Sequence, residues 1–250
     1  MESLDSASGT YVYAVVRSDH AVEYGSVGLD GAEVVRIGDA DMAALTSTII
    51  RTKVRPERRH LAAHNAVLRR ALSERAVLPM QFGLIAESAE GVREMLAKNR
   101  QILQEQLDHV DGKVEMGLRV RYDVPNVFEY FLNRNPELRE ARDAMGDFRQ
   151  PRHADMIALG QLFDRLLSAE RERHTEQVSS VLERHGIEVK QSPPRAESEL
   201  MNLACLMARD RQAGFEDIVS EAATDFDNNY LFDISGPWAP HHFVELVLAT

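Results

Sequence analysis

The sequence predicts an α+β protein in two domains: a mixed N-terminal domain over 10–111 and a ferredoxin-like βαββαβ domain over 112–250, the latter with a long helix and a C-terminal extension. Three observations carry that reading. Lys113 to Asp123 alternates strictly between apolar and polar residues, the period of a strand with one buried face. Gly112 stands directly before that stretch as a break. Beyond it, apolar runs and helical periods succeed one another as strand, helix, strand, strand, helix, strand.

Taken in order, residues 1–9 are polar and acidic and read as a disordered tail. Tyr11 to Val16 (YVYAVV) is β-branched and aromatic, hence a strand. Gly25, Gly28 and Gly31 punctuate a turn before a second strand over Ala32–Ile37, and Met42–Ile50 reads as a third, although its alanines and leucine would also suit a helix. Pro56 suits the first turn of a helix reaching Glu74, with Leu61, Leu68 and Leu72 on its inner face. Ala76–Ala86 is apolar but holds a proline and a glycine, which places it at a sheet edge or bend. Ser88 caps a helix running to Val110.

In the second half, a helical stretch over Asn126–Met145 breaks near Pro136, and Arg152–His185 forms one long helix. Its middle, Glu170 to Gln177, is almost wholly polar, so this part is expected to project past the core as a docking surface or a solvated face. Gly186 ends the helix. Ile187–Lys190 is a short strand, and Leu200–Ala208 a central strand buried on both faces. Arg211–Phe226 is helical, and Tyr230–Ile234 is the last strand.

Composition narrows the function. The net charge of −11 repels nucleic-acid phosphates, and no arginine stripe or aromatic platform offsets it. No apolar run approaches the roughly 20 residues that span a bilayer, and the start lacks a secretory signal, which implies a soluble, cytoplasmic protein. The single cysteine, Cys205, sits in an apolar run and reads as packing.

No catalytic set emerges. His60 and His64 share a helix face but lack a third ligand, and neighbouring His241 and His242 point apart in extended chain. Asp225, Asp227, Asn229 and Asp233 follow calcium-loop spacing. Tyr230 and Gly236, however, stand where the glycine and the bidentate glutamate are needed. The three early glycines precede a strand rather than a helix, so they cradle no phosphate. No cofactor or metal is expected.

Four segments resemble one known family. Leu78-Pro-Met-Gln-Phe-Gly83 looks like the LP-x-R/Q-FG segment of the GvpF/GvpL gas vesicle family, and His64 matches a histidine upstream of it. Gly112-Lys-Val-Glu-Met-Gly117 is similar to that family's entry to its second domain. Phe232-Asp-Ile-Ser-Gly-Pro-Trp238, with Pro240 and Phe243-Val244, is similar to its C-terminal ending. Gln81 and His241-His242 depart from the usual pattern.

The resemblance implies an accessory or minor structural protein of gas vesicle assembly, and no enzyme. Its implied partners are the hydrophobic shell protein GvpA and other accessory proteins, and its implied location is the gas vesicle. Trp238 then has two readings: an indole plugging a rigid turn at the domain seam, or an exposed anchor for a partner. Leu78, Phe82 and Phe243 are the other candidate partner contacts. The rival reading is a small-molecule-binding protein or enzyme on a ferredoxin-like scaffold, which a deep pocket with converging polar groups would favour.

Overall fold

The computed structural model describes residues 8–18, 22–50, 53–145 and 153–246. These divide into two compact units. The chain leaves the first after Met116, returns to it for Leu206–Gln212, and rejoins it from Gly236; the second comprises Gly117–Cys205 and Ala213–Ser235. Most of the tail expected over 1–9 lies outside the described residues, and Gly9 already opens a strand.

The first unit is built on β1 (Gly9–Arg17). β3 (Met42–Ile49) pairs antiparallel along its whole length, from Gly9 opposite Ile49 to Arg17 opposite Met42. β2 (Val35–Gly38) continues the sheet beyond β3. The apolar segment with proline and glycine splits into β4 (Val77–Pro79) and β5 (Ile85–Ala86), both on the free side of β1. Pro79 is therefore at an edge, where its missing N–H costs no ladder bond.

β1 is apolar on both faces because both are covered. Tyr11 and Tyr13 face Val67 and Leu68 of α1 (Arg58–Ala71). Val12 and Val15 face α2 (Ala89–Lys98) and α3 (Arg100–His109) through Val92, Leu96, Leu103 and Leu107.

Two details differ from the sequence reading. The buried stripe of α1 is His60, His64, Val67, Leu68 and Ala71, whereas Leu61 is 39% exposed. Both histidines have hydrogen-bond partners inside, so burial is open to them. The single helix expected from Ser88 to Val110 is two. Ser88 caps the first, accepting from Gly91 N–H at 3.1 Å, and Asn99 breaks it by donating through Nδ2 to the Met95 carbonyl at 2.8 Å.

A second sheet runs β7 (Glu188–Ser192), β8 (Glu199–Ala208), β6 (Lys113–Tyr122), β9 (Tyr230–Trp238) in spatial order, and both sheets are antiparallel. Seven α-helices and two 3-10 helices, Leu29–Gly31 and Arg209–Gly214, complete the elements of the described residues. α4 (Val127–Arg134) is capped by Asn126, and Pro136 starts α5 (Pro136–Asp143). α6 spans His153–Arg184; Arg152, its expected start, lies outside the described residues. Gly186 follows with φ of +74°, and α7 is Phe215–Ala222.

The polar middle of α6 does not project. His174 and Thr175 are buried, and Glu170 accepts a hydrogen bond from the Tyr230 hydroxyl at 3.1 Å. Arg171 donates to the carbonyls of Ala196, Glu197 and Glu199 at 2.9–3.0 Å, pinning the approach to β8. Glu170 and Arg171 are accommodated by these bonds, whereas His174 Nδ1 and Thr175 Oγ1 are buried without a hydrogen-bond partner.

Candidate partner interface

The C-terminal segment is held by a glycine and a buried carboxylate. At Gly236, φ is +116°, and a Cβ would meet the Glu115 carbonyl oxygen at 3.0 Å and the Met116 sulfur at 3.1 Å. Only glycine lets the strand pass this close. Pro237 and Trp238 follow as the last residues of β9, so Gly236-Pro237-Trp238 ends a strand instead of forming a turn.

Beyond them, Ala239 and Phe243 are buried, and Glu115 binds His242 twice. Its Oε2 accepts from the His242 backbone N–H at 2.9 Å, and its Oε1 pairs with Nδ1 at 2.7 Å. Strict alternation had placed Glu115 on the solvent face of β6, yet it is only 5% exposed. The backbone of the returning segment supplies the partner that makes this burial tolerable.

Trp238 is 44% exposed and lines an open groove of about 520 Å³ with Arg69, Leu72, Val114, Arg209 and Gln212. Burial pulls the Arg209 guanidinium down from its usual range, opposed by nearby Asp111. The Asp111 carboxylate is itself paired with Arg75 at 2.7 Å.

The 78–83 segment is fixed from inside the same unit. Met80 N–H donates to the Tyr13 carbonyl at 2.9 Å, and Gly83 N–H to the Tyr11 hydroxyl at 3.1 Å. That hydroxyl lies 2.9 Å from His64 Nδ1, and the Phe82 ring packs edge-on to both Tyr11 and His64. Burial holds the His64 imidazole neutral, with its pKa pushed down to about 4, and raises the Tyr11 phenol to about 12.

The two motif segments meet. Pro79, Met80, Gln81 and Leu84 line a groove of about 420 Å³ together with His241, Val244 and Leu246. Of the four candidate partner contacts, Leu78 and Phe243 are buried at 0% and 1% exposure and present no side chain to solvent. Leu78 lies opposite Val15 in the sheet, and Phe243 anchors the C-terminal segment, so both are spent on packing. Phe82 is half-buried, and Trp238 is open.

The remaining polar candidates are structural in geometry. His60 donates through Nδ1 to the Arg55 carbonyl at 3.0 Å and faces Asp30 through Nε2 at 3.3 Å. Asp227 accepts from Asn229 N–H and pairs with Arg134, while Asp233 pairs with Arg121. Among the described residues no group of three or more His, Cys, Asp or Glu side chains could hold a metal ion. No helix there is long and apolar enough to cross a membrane. Sequence reasoning missed Glu115 and Tyr11, whose polar atoms organise both motif segments; a carboxylate and phenols inside apolar strands were the available signal.

A family model described as gas vesicle synthesis protein GvpL/GvpF matches residues 9–245. Gas vesicle protein F of Streptomyces sp. (strain CB03234) is 32% identical over 94% of this chain and 99% of that protein. Gas vesicle protein L of the same strain is 26% identical over 93% and 91%. The crystal structure of GvpF from Anabaena sp. PCC7120 shares the fold with a TM-score of 0.83 at 24% identity, covering 96% of this chain and 99% of that one.

Proposed function

The chain belongs to the GvpL/GvpF family of gas vesicle synthesis proteins, and from that membership we propose that it supports gas vesicle assembly by binding the hydrophobic shell protein GvpA and preventing its premature aggregation. The family is one of gas vesicle proteins rather than enzymes, and we read this chain as a binding protein working in the cytoplasm and at the vesicle. A subunit with a gas-facing apolar surface aggregates unless that surface is covered before it is built in. A chain of net charge −11 keeps such a complex dispersed.

The observation that carries the reading is the meeting of the two motif segments. Residues 79–84 and 241–246, far apart in sequence, form one groove with Met80, Leu84, Val244 and Leu246 on its walls. Gln81 and His241 also line the groove, and its apolar walls suit an apolar segment of another polypeptide with polar groups beside it. Outside that groove, Trp238 in its own groove and half-buried Phe82 are the side chains proposed to contact the partner.

The spatial order β7-β8-β6-β9 places the third strand of the second sheet between its first and second, with the fourth beside the first. That order supports a ferredoxin-like reading of the second half.

The test is co-expression with the shell protein and recovery through a tag on this chain. Co-purification, with more shell protein kept in the soluble fraction, is the expected result. Absence of the shell protein from the recovered material, while this chain is folded, would overturn the reading.

A further inference from the structure

We propose that the groove beside Trp238 recognises a carboxylate carried next to an apolar or aromatic side chain on a partner polypeptide. The partner half of that statement rests on the assembly reading above; the carboxylate chemistry rests on the groove alone.

Charge is the first argument. Among the described residues, Asp and Glu outnumber cations across the chain, whose net charge is −11, yet this groove is lined by Arg69 and Arg209 and by no acidic side chain. An anion is drawn to such a place against the field of the molecule around it.

Unmet hydrogen-bonding capacity is the second. Arg209 Nε is shut off from water and has no hydrogen-bond partner. Arg209 is held in place through its backbone N–H, which donates to the Gly112 carbonyl at 2.9 Å. Asp111, whose charge acts on Arg209, binds Arg75 through Oδ2, and its Oδ1 makes no hydrogen bond to Arg209. A guanidinium fixed at its root and short of acceptors is suited to a planar, two-oxygen ligand.

The apolar wall is the third. Leu72, Val114, Pro237 and the indole of Trp238 form the rest of the groove, and its volume of about 520 Å³ holds one or two side chains. An inorganic oxyanion would leave that wall wet. A carboxylate with a neighbouring apolar group covers both parts, with tryptophan and arginine as the expected anchors.

Trp238 is the chain's single tryptophan, so intrinsic fluorescence reports from the groove itself. The probes are three acetylated tripeptides: alanyl-phenylalanyl-glutamate amide, its glutamine counterpart, and alanyl-glutaminyl-phenylalanine with a free C-terminus. A saturable change is expected with one or both acidic peptides, about ten-fold tighter than with the glutamine amide. Which acidic peptide binds separates a side-chain carboxylate from a chain terminus. Arg209→Gln and the exposed Arg69→Gln should each weaken that binding about ten-fold, with circular dichroism unchanged.

Equal response to the glutamine peptide, no saturable change with either acid, or tighter binding of inorganic phosphate than of the acids overturns the proposal. So does full binding by a folded Arg69→Gln protein, which keeps the test decisive should Arg209→Gln fail to fold. Peptide binding without shell-protein recovery would retain this site and remove the assembly reading; the reverse pair of results would do the opposite.

Discussion

The Tyr11 hydroxyl and His64 Nδ1 lie 2.9 Å apart inside the first unit, and their roles are fixed by a third group. Gly83 N–H donates to the same hydroxyl, so the hydroxyl proton is directed to Nδ1. Nδ1 is then an acceptor, and the ring proton sits on Nε2, toward the Met80 carbonyl. One neutral histidine thereby ties α1 to two points of the 78–83 segment.

That arrangement predicts an acid-sensitive fold. The folded pKa of His64 is about 4, below the ordinary 6.5, so between those values the unfolded chain takes up a proton that the folded one refuses. Stability is fully present above pH 6.5 and is lost progressively as pH falls toward 4, by on the order of 3 kcal/mol. Urea unfolding at pH 7 and pH 5 checks the slope. A His64 ring that titrates near 6.5 by NMR would contradict it.

Removing the shared hydroxyl isolates its contribution. Tyr11→Phe keeps the ring in the aromatic cluster but leaves Gly83 N–H and His64 Nδ1 unpaired, which should cost about 1–3 kcal/mol. The loss should be local as well as global, with faster hydrogen exchange at the Gly83 amide. Unchanged exchange there would mean that the loop is held by something else.

How much of this was legible follows from what each signal measures. Period-2 alternation located β6, and the cap at Ser88 located α2, because both depend on residues adjacent in the chain. The same alternation misplaced Glu115, since its partner is the backbone of His242, more than a hundred residues on. Polarity likewise misjudged the stretch from Glu170 to Gln177. Burial there depends on Tyr230 and the carbonyls before β8, which no local pattern announces. The resemblance found the motif segments but not what joins them: Tyr11, an unremarked residue of a strand, is the link to His64 and Gly83.

Tyr230→Phe tests the buried polar cluster of the second unit. Its hydroxyl donates to Glu170, and the neighbouring His174 is the main cause holding the Glu170 carboxyl below its usual range. A hydrogen bond to a charged group is lost, so about 1.5–3 kcal/mol of stability should go with it. Because Glu170 has a lowered folded pKa, part of that difference is present above the ordinary carboxylate pKa and disappears as pH falls through the folded value. Urea unfolding of both proteins at pH 7 and pH 3 measures it; an equal difference at both would exclude the carboxylate.

Trp238→Ala separates folding from binding. A fully buried tryptophan costs about 3–5 kcal/mol when truncated to alanine, but this one keeps nearly half its surface in water. With 44% exposure, the expected loss of stability is roughly half as large, about 2 kcal/mol. The position is held by Gly236 and by the burial of Ala239 and Phe243, none of which the substitution touches. The variant should therefore fold, while a partner that used the indole as an anchor would lose at least about 2 kcal/mol, some thirty-fold in affinity. Paired thermal melts and recovery of the shell protein read the two effects apart. A folded variant that still recovers the shell protein in full would leave the indole with a packing role alone.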